Sequence, residues 1–237
     1  MPERPWKLEA LLRLFMGVCI CLFLGTAAAF VLQTVFTDGA DHPVWRTVAA
    51  TLSFQGAALV LVHFFLRQHD LGWREAFGMD NQWPRALLLG VLVTGLFLPV
   101  GWGLQWASAQ FMTRVEVVPV EQPAVQTLRA SETWVSRAVL GVVAIALAPV
   151  AEEVLFRGIL YTAVKQAGFP RLALWGTSLL FAAIHANLAT LLPLLVLSLA
   201  LTLLYEKTGN LLAPIAAHAL FNGVNFLRLF SAGWSSG

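Results

Sequence analysis

Three short stretches carry side chains able to move protons: "EEVLFRG" at residues 152–158, "FAAIH" ending at His185, and "HALFN" running from His218 to Asn222. A carboxylate can take a proton from water and so turn it into a nucleophile. An imidazole or an amide can hold the oxyanion that forms when that water attacks a carbonyl, and each such donor typically lowers the barrier by about 3 kcal/mol. Spacing divides the labour. Glu153 and Arg157 are i and i+4, share a helix face and can pair. Glu152 is turned about 100° away from Glu153 and is left free to face a cavity. His218 and Asn222 are again i and i+4, and Asn225 continues their face. No Ser–His or Cys–His nucleophilic pair stands out, and Ser178 and Ser198 read as helix-packing residues.

The elements that must position these groups are apolar. The chain has 237 residues, of which 58% are hydrophobic and 12% charged. A soluble domain carries about twice that share of charge, so the chain is expected to be an integral membrane protein. The net charge of +2 and the lack of a basic cluster interleaved with aromatics exclude a nucleic-acid partner. Cys19 and Cys21 read as small apolar fillers, with no disulfide or metal framework.

Crossing a bilayer takes about 20 mostly apolar residues. Seven hydrophobic segments are candidates, at about 11–36, 44–66, 84–112, 134–149, 170–186, 191–205 and 211–230. The prediction is an all-α, polytopic transmembrane bundle of about seven spans, within a range of six to eight. Residues 1–133 would hold about three spans and a polar connecting loop, and residues 134–231 a catalytic core of about four. The start has the flanks of a signal peptide, but its apolar run continues past Ala27–Ala29 and reads as a span. The fourth segment is expected to stay helical as far as Gly168, kinked by Pro149. "AGFP" and "KTGN" read as tight turns. Trp45, Trp83, Trp106, Trp134 and Trp175 fall near segment ends, where interfacial belts form, and the Lys and Arg distribution places the N-terminus in the cytoplasm.

A charge inside a membrane costs a few kcal/mol on insertion scales, so such residues usually face a bundle interior or a wet cavity. Here Glu152, His185 and His218 lie in three different apolar segments. Glu152 and His185 each stand about 24 Å from the turn at Gly168, whereas His218 is only about 12 Å past the turn at Gly209. The last helix must therefore start deeper, or the hairpin at Gly168 must protrude.

The ordered set "EEVLFRG", "FAAIH" and "HALFN", with "LLYEKTGNLLAPIAAH" leading into the third, resembles the CPBP (Abi) family of intramembrane endopeptidases. That family includes the type II CAAX prenyl proteases and bacteriocin-processing relatives. The resemblance covers about residues 134–228. It implies that Glu152 and His185 activate a water, that His218 and Asn222 stabilise the oxyanion, and that Glu153 and Arg157 support the site. It also favours a glutamic-type, cofactor-free protease, although two histidines and a glutamate are equally a ligand set for zinc. The implied partners are a protein or peptide substrate and the lipid bilayer, in a bacterial inner (plasma) membrane. Prenylated substrates are not expected.

The rival class is non-enzymatic: a peptide or ion transporter, or a bacteriocin-immunity factor, since buried Glu and His also mark proton relays. His42, His63 and His69 read as solvent-facing or snorkelling groups, and Gln33, Gln55 and Gln105 as polar contacts between helices. Gly90, Gly95, Gly101 and Gly103 are expected to allow close packing or local bending, and Asn187 to cap a turn.

Overall fold

A computed structural model of the chain describes residues 6–35, 42–80 and 82–234, and every regular element among them is helical. α1 is Leu8–Val35. α2 covers 42–67 as two α-helical stretches, His42–Thr51 and Ala57–Arg67, joined by a π-helical turn at Leu52–Gly56. A single turn, α3 (Trp73–Ala76), precedes α4 (Trp83–Arg114) and the short α5 (Pro123–Ala130). α6 is Trp134–Gln166, α7 Pro170–Ala183, α8 Leu188–Thr208 and α9 Leu212–Trp234.

Each of the seven apolar segments is a helix close to its expected bounds, and the all-α class holds. The count of seven spans is not confirmed. Among the described residues five helices, α1, α2, α4, α6 and α8, are long and apolar enough to cross a membrane. α7 has 14 residues, about 21 Å of helix, which is short of a hydrocarbon core about 30 Å thick. α9 has 23 residues, but His218, Asn222, Asn225 and Arg228 hold its hydropathy below that of the other five. The polar connection after α4 is not simply a loop, because Pro123, in the first turn, starts the eight-residue α5.

Local chemistry sets the helix ends. Proline occupies the first turn of α4, α5 and α7, where its missing N–H costs nothing. Asn187 caps α8 as expected, its side chain accepting the Thr190 N–H at 3.1 Å. Gly168 and Gly209 take positive φ of 94° and 62° in the two predicted turns. Pro149 does not break α6, for a π-helical turn at Val143–Leu147 precedes it and the chain stays helical to Gln166.

α6 and α8 are the inner helices, with 44% of the apolar window of each buried against 22% for α1 and α4. One cluster packs Leu14 and Val18 of α1 on Val62 and Phe65 of α2 and on Val154 and Ile159 of α6. A second joins Phe97 of α4, Leu197 and Leu201 of α8, and Ala213 and Ala217 of α9. α4 and α9 approach closely at Gly90, where an added Cβ would lie 2.8 Å from the Ala213 carbonyl oxygen. Gly95 and Gly103, also expected to permit packing, face open space. The five tryptophans expected at the interfaces are all exposed, in keeping with a lipid-facing surface.

The depth mismatch has a simple resolution. Asn210 and Leu211 are buried, the Leu211 N–H donates to the Phe77 carbonyl at 3.0 Å, and the Leu211 side chain lies against Gly158. α9 thus starts inside the bundle. Glu153 is five residues from Gly158 and His218 seven from Leu211, distances of about 7.5 and 10.5 Å, so the two side chains can meet.

Candidate active site

α6 supplies the charged centre. Glu153 and Arg157 are buried to 0% and 1% side-chain exposure and pair at 2.8 Å, as their i,i+4 spacing predicts. A buried ion pair is less costly when its remaining hydrogen-bonding groups are met. α8 does this for the guanidinium: Arg157 donates to the Ser198 hydroxyl at 2.8 Å, the Ser198 carbonyl at 3.2 Å and the Thr202 hydroxyl at 3.4 Å. The guanidinium also lies 4.6 Å from the ring centroid of Phe181. Ser198, expected to be a packing residue, is therefore an anchor for the arginine; Ser178 is fully buried and packs.

Glu153 does more than pair with Arg157. The same oxygen, Oε1, lies 2.8 Å from His218 Nδ1, so it takes a second hydrogen bond from α9. An acceptor at Nδ1 puts the imidazole hydrogen there and leaves Nε2 as the working nitrogen. His218 Nε2 faces Glu152 Oε2 at 3.9 Å. That gap is too long for a direct hydrogen bond and short enough for one oxygen atom to bridge. Glu152 retains 12% side-chain exposure where Glu153 has none, and its Oε1 accepts from Gln55 Nε2 of α2 at 3.0 Å. The adjacent carboxylates thus differ in surroundings, as the 100° rotation between them requires.

His185 ends the α7 turn. Its Nδ1 lies 2.7 Å from the Phe181 carbonyl oxygen, which again assigns the hydrogen to Nδ1 and frees Nε2. Its ring packs on Phe181 at 5.0 Å, and the same Phe181 ring meets His218 at 5.8 Å. Phe181 is thus the common floor beneath Arg157, His185 and His218. No hydrogen bond or ion pair joins His185 directly to Glu152 among the described residues.

Asn222 has a task that its spacing does not reveal. In the π-helical turn the Ala148 N–H bonds to the Val143 carbonyl, one residue earlier than α geometry would choose. The next residue, Pro149, has no N–H. The Ala144 carbonyl is thus left without a backbone donor, and Asn222 Nδ2 donates to it at 2.9 Å. One amide hydrogen of Asn222 is thus spent on α6. Asn225 ties the same face of α9 to α4, its oxygen accepting from Trp102 Nε1 at 2.9 Å.

Residues 134–224 match the family described as type II CAAX prenyl endopeptidase, Rce1-like. The match is confined to this stretch, which is less than half of the chain. All six motif residues, Glu152, Glu153, Arg157, His185, His218 and Asn222, lie within it. A curated protein of Bacillus subtilis (strain 168), "Uncharacterized protein YpbD", is 42% identical over 78 residues, 31% of this chain and 37% of that protein. The chain thus matches little more than a third of its relative's length. No solved structure matches.

Outside the Rce1-like region lies the residue that sequence reasoning undervalued. Gln55 was expected only to tie helices together, and it reaches the free glutamate. Its sole sequence signal was a polar residue in an apolar span. Gln105 is exposed, and the Gln33 side chain lies outside the described residues, as does that of His42. His63 is exposed, accepting from Trp73 Nε1 at 3.2 Å. His69 is not solvent-facing: it packs against Trp6 and Phe65 and bonds the Phe65 carbonyl at 2.8 Å. As for zinc, no three His, Cys, Asp or Glu side chains converge as a ligand group among the described residues.

Proposed function

We propose that the chain is a membrane endopeptidase that hydrolyses peptide bonds of a membrane-associated or secreted protein or peptide. Glu152 is the general base. A water bridging Glu152 Oε2 and His218 Nε2 gives a proton to the carboxylate and attacks the scissile carbonyl. The water's other hydrogen is accepted by the free Nε2 of His185. His218, with a hydrogen on each ring nitrogen, gives the Nδ1 hydrogen to Glu153 and turns the Nε2 hydrogen, together with the second amide hydrogen of Asn222, toward the developing oxyanion. Glu153 and Arg157 hold the imidazole in place. The single observation that supports this most is the 3.9 Å approach of Glu152 and His218 across two apolar helices, with a different fixed partner behind each.

The proposed setting is a bacterial inner membrane with the N-terminus in the cytoplasm. The first 133 residues would form a supporting helical unit and residues 134–231 the catalytic core. The proposed chemistry draws only on this chain's side chains.

The test uses purified protein in detergent with internally quenched peptides of mixed sequence, half of them carrying a C-terminal S-farnesyl cysteine. Cleavage without any ion gradient, lost in Glu152→Gln at unchanged elution volume and Tm, supports the protease. No cleavage of either set, or equal cleavage by wild type and Glu152→Gln, refutes it and leaves a gradient-dependent transporter. A chelator that abolishes turnover would establish the zinc-dependent version, and preference for the farnesylated set would correct the substrate expectation.

A further inference from the structure

The groups around Glu152 come from α6 and α9, with one exception. Gln55 belongs to α2, 97 residues away in sequence and outside the region matched by the family. Three observations set it apart from an ordinary polar contact between helices. First, its Nε2 donates to Glu152 Oε1 at 3.0 Å, leaving Oε2 turned toward His218. Second, Gln55 is only 8% exposed, and its Oε1 is buried with no hydrogen-bond partner. A glutamine kept merely to join two helices would have both ends satisfied, since a buried acceptor without a donor is costly. The unmet oxygen is a cost borne for the contact that its amide nitrogen makes with Glu152. Third, Gln55 sits in the π-helical turn Leu52–Gly56, a local departure from α geometry that re-aims a side chain and recurs at functional sites.

The turn is braced from outside. α1 approaches it so closely at Gly25 that an added Cβ would lie 2.1 Å from the Ser53 Cβ. Only glycine permits that approach, so α1 presses on the turn that aims Gln55.

We propose that Gln55 is a positioning residue for Glu152, supplied by the N-terminal helices, and that the π-helical turn backed by Gly25 sets its aim. The inference rests on the protease reading above for its catalytic consequence, but not for its geometry. Gln55 fixes which carboxylate oxygen is engaged and which is free.

Two readouts separate the inference from that reading. The first needs no activity: the infrared band of the Glu152 carboxylate, located as the difference between wild type and Glu152→Gln. Gln55→Leu, which keeps the volume and removes the donor, should shift that band. An unshifted band in a folded Gln55→Leu protein overturns the inference whether or not the protein cleaves peptides. The second is turnover of the quenched peptides. Gln55→Leu should lower kcat roughly 10- to 100-fold with KM within about twofold, a loss proper to a group that matters only in the transition state. Gly25→Ala, far from the reacting atoms, should give a smaller loss of kcat in the same direction. Gln105→Leu, at an exposed position, should leave turnover unchanged. A fall in Tm with kcat retained in Gln55→Leu would make Gln55 a structural tie and overturn the inference. If no peptide is cut but the band shifts, the protease reading fails and the positioning role of Gln55 stands.

Discussion

The helices of the first 130 residues and those of the last 100 are about equally greasy but spend their polar residues differently. In α1 and α4 most of the surface is exposed, with Leu12, Phe23, Leu96 and Trp106 all turned outward. In α6 and α8 nearly half of the apolar window is inside, and it encloses Glu153, Arg157, Ser198 and Thr202 in mutual contact. The outer helices present an apolar face that any lipid could cover. The inner ones enclose charges that pair with one another, Arg157 with Glu153, Ser198 and Thr202, and Glu153 through Oε1 with Arg157 and His218, while Glu153 Oε2 is buried without a partner. The contrast teaches that hydrophobicity alone does not separate scaffold from site; the fate of the polar groups does. α2 crosses the divide, since its outer face is apolar while Gln55 reaches the carboxylate.

If that contrast is correct, substitutions should rank by whether they strike an enclosed polar group. The largest effect is expected for Glu152→Gln, with cleavage falling by about 10³-fold or more and Tm held within a degree or two, measured by peptide turnover and thermal unfolding in detergent. Arg157→Met comes next. It strands Glu153 without its counter-charge, and breaking a buried pair typically costs about 3–5 kcal/mol, to be seen as a large drop in Tm or in folded yield. Smaller is Asn222→Leu, which leaves the Ala144 carbonyl with no donor; it should cost about 1–3 kcal/mol in denaturant or thermal unfolding, besides its effect on turnover. Smallest is Leu96→Ala on the outer face of α4, where a change within about 0.5 kcal/mol is expected. A loss at Leu96 as large as that at Arg157 would erase the distinction between the two regions.

The legibility of the molecule in its sequence follows the same divide. The seven helical segments could be read because apolar length and turn residues are local signals, and so could the Glu153–Arg157 pair, because one helix fixes i and i+4 geometry. The span count could not, because it depends on how helices tilt and pack in the membrane, and α7 and α9 are the two in question. Asn222 could be marked as a candidate from its place below His218, but not as the donor to Ala144. That bond exists because a π-helical turn and a proline together strip a carbonyl of its backbone partner. Gln55 could be noticed and not placed.

By itself, the sequence determined a helical membrane protein, the ordered set of six ionisable and amide residues in its last four helices, and the different faces of two adjacent glutamates. All of these follow from periodicities inside single helices. Only the tertiary structure decided that Glu153 is shared between Arg157 and His218, that Gln55 holds Glu152, and that α9 starts deep enough for His218 to reach both acids. Those are relations between helices. They depend on the rotation and depth of each helix against its neighbours, which small residues, π-helical turns and buried turns set jointly and no single segment encodes.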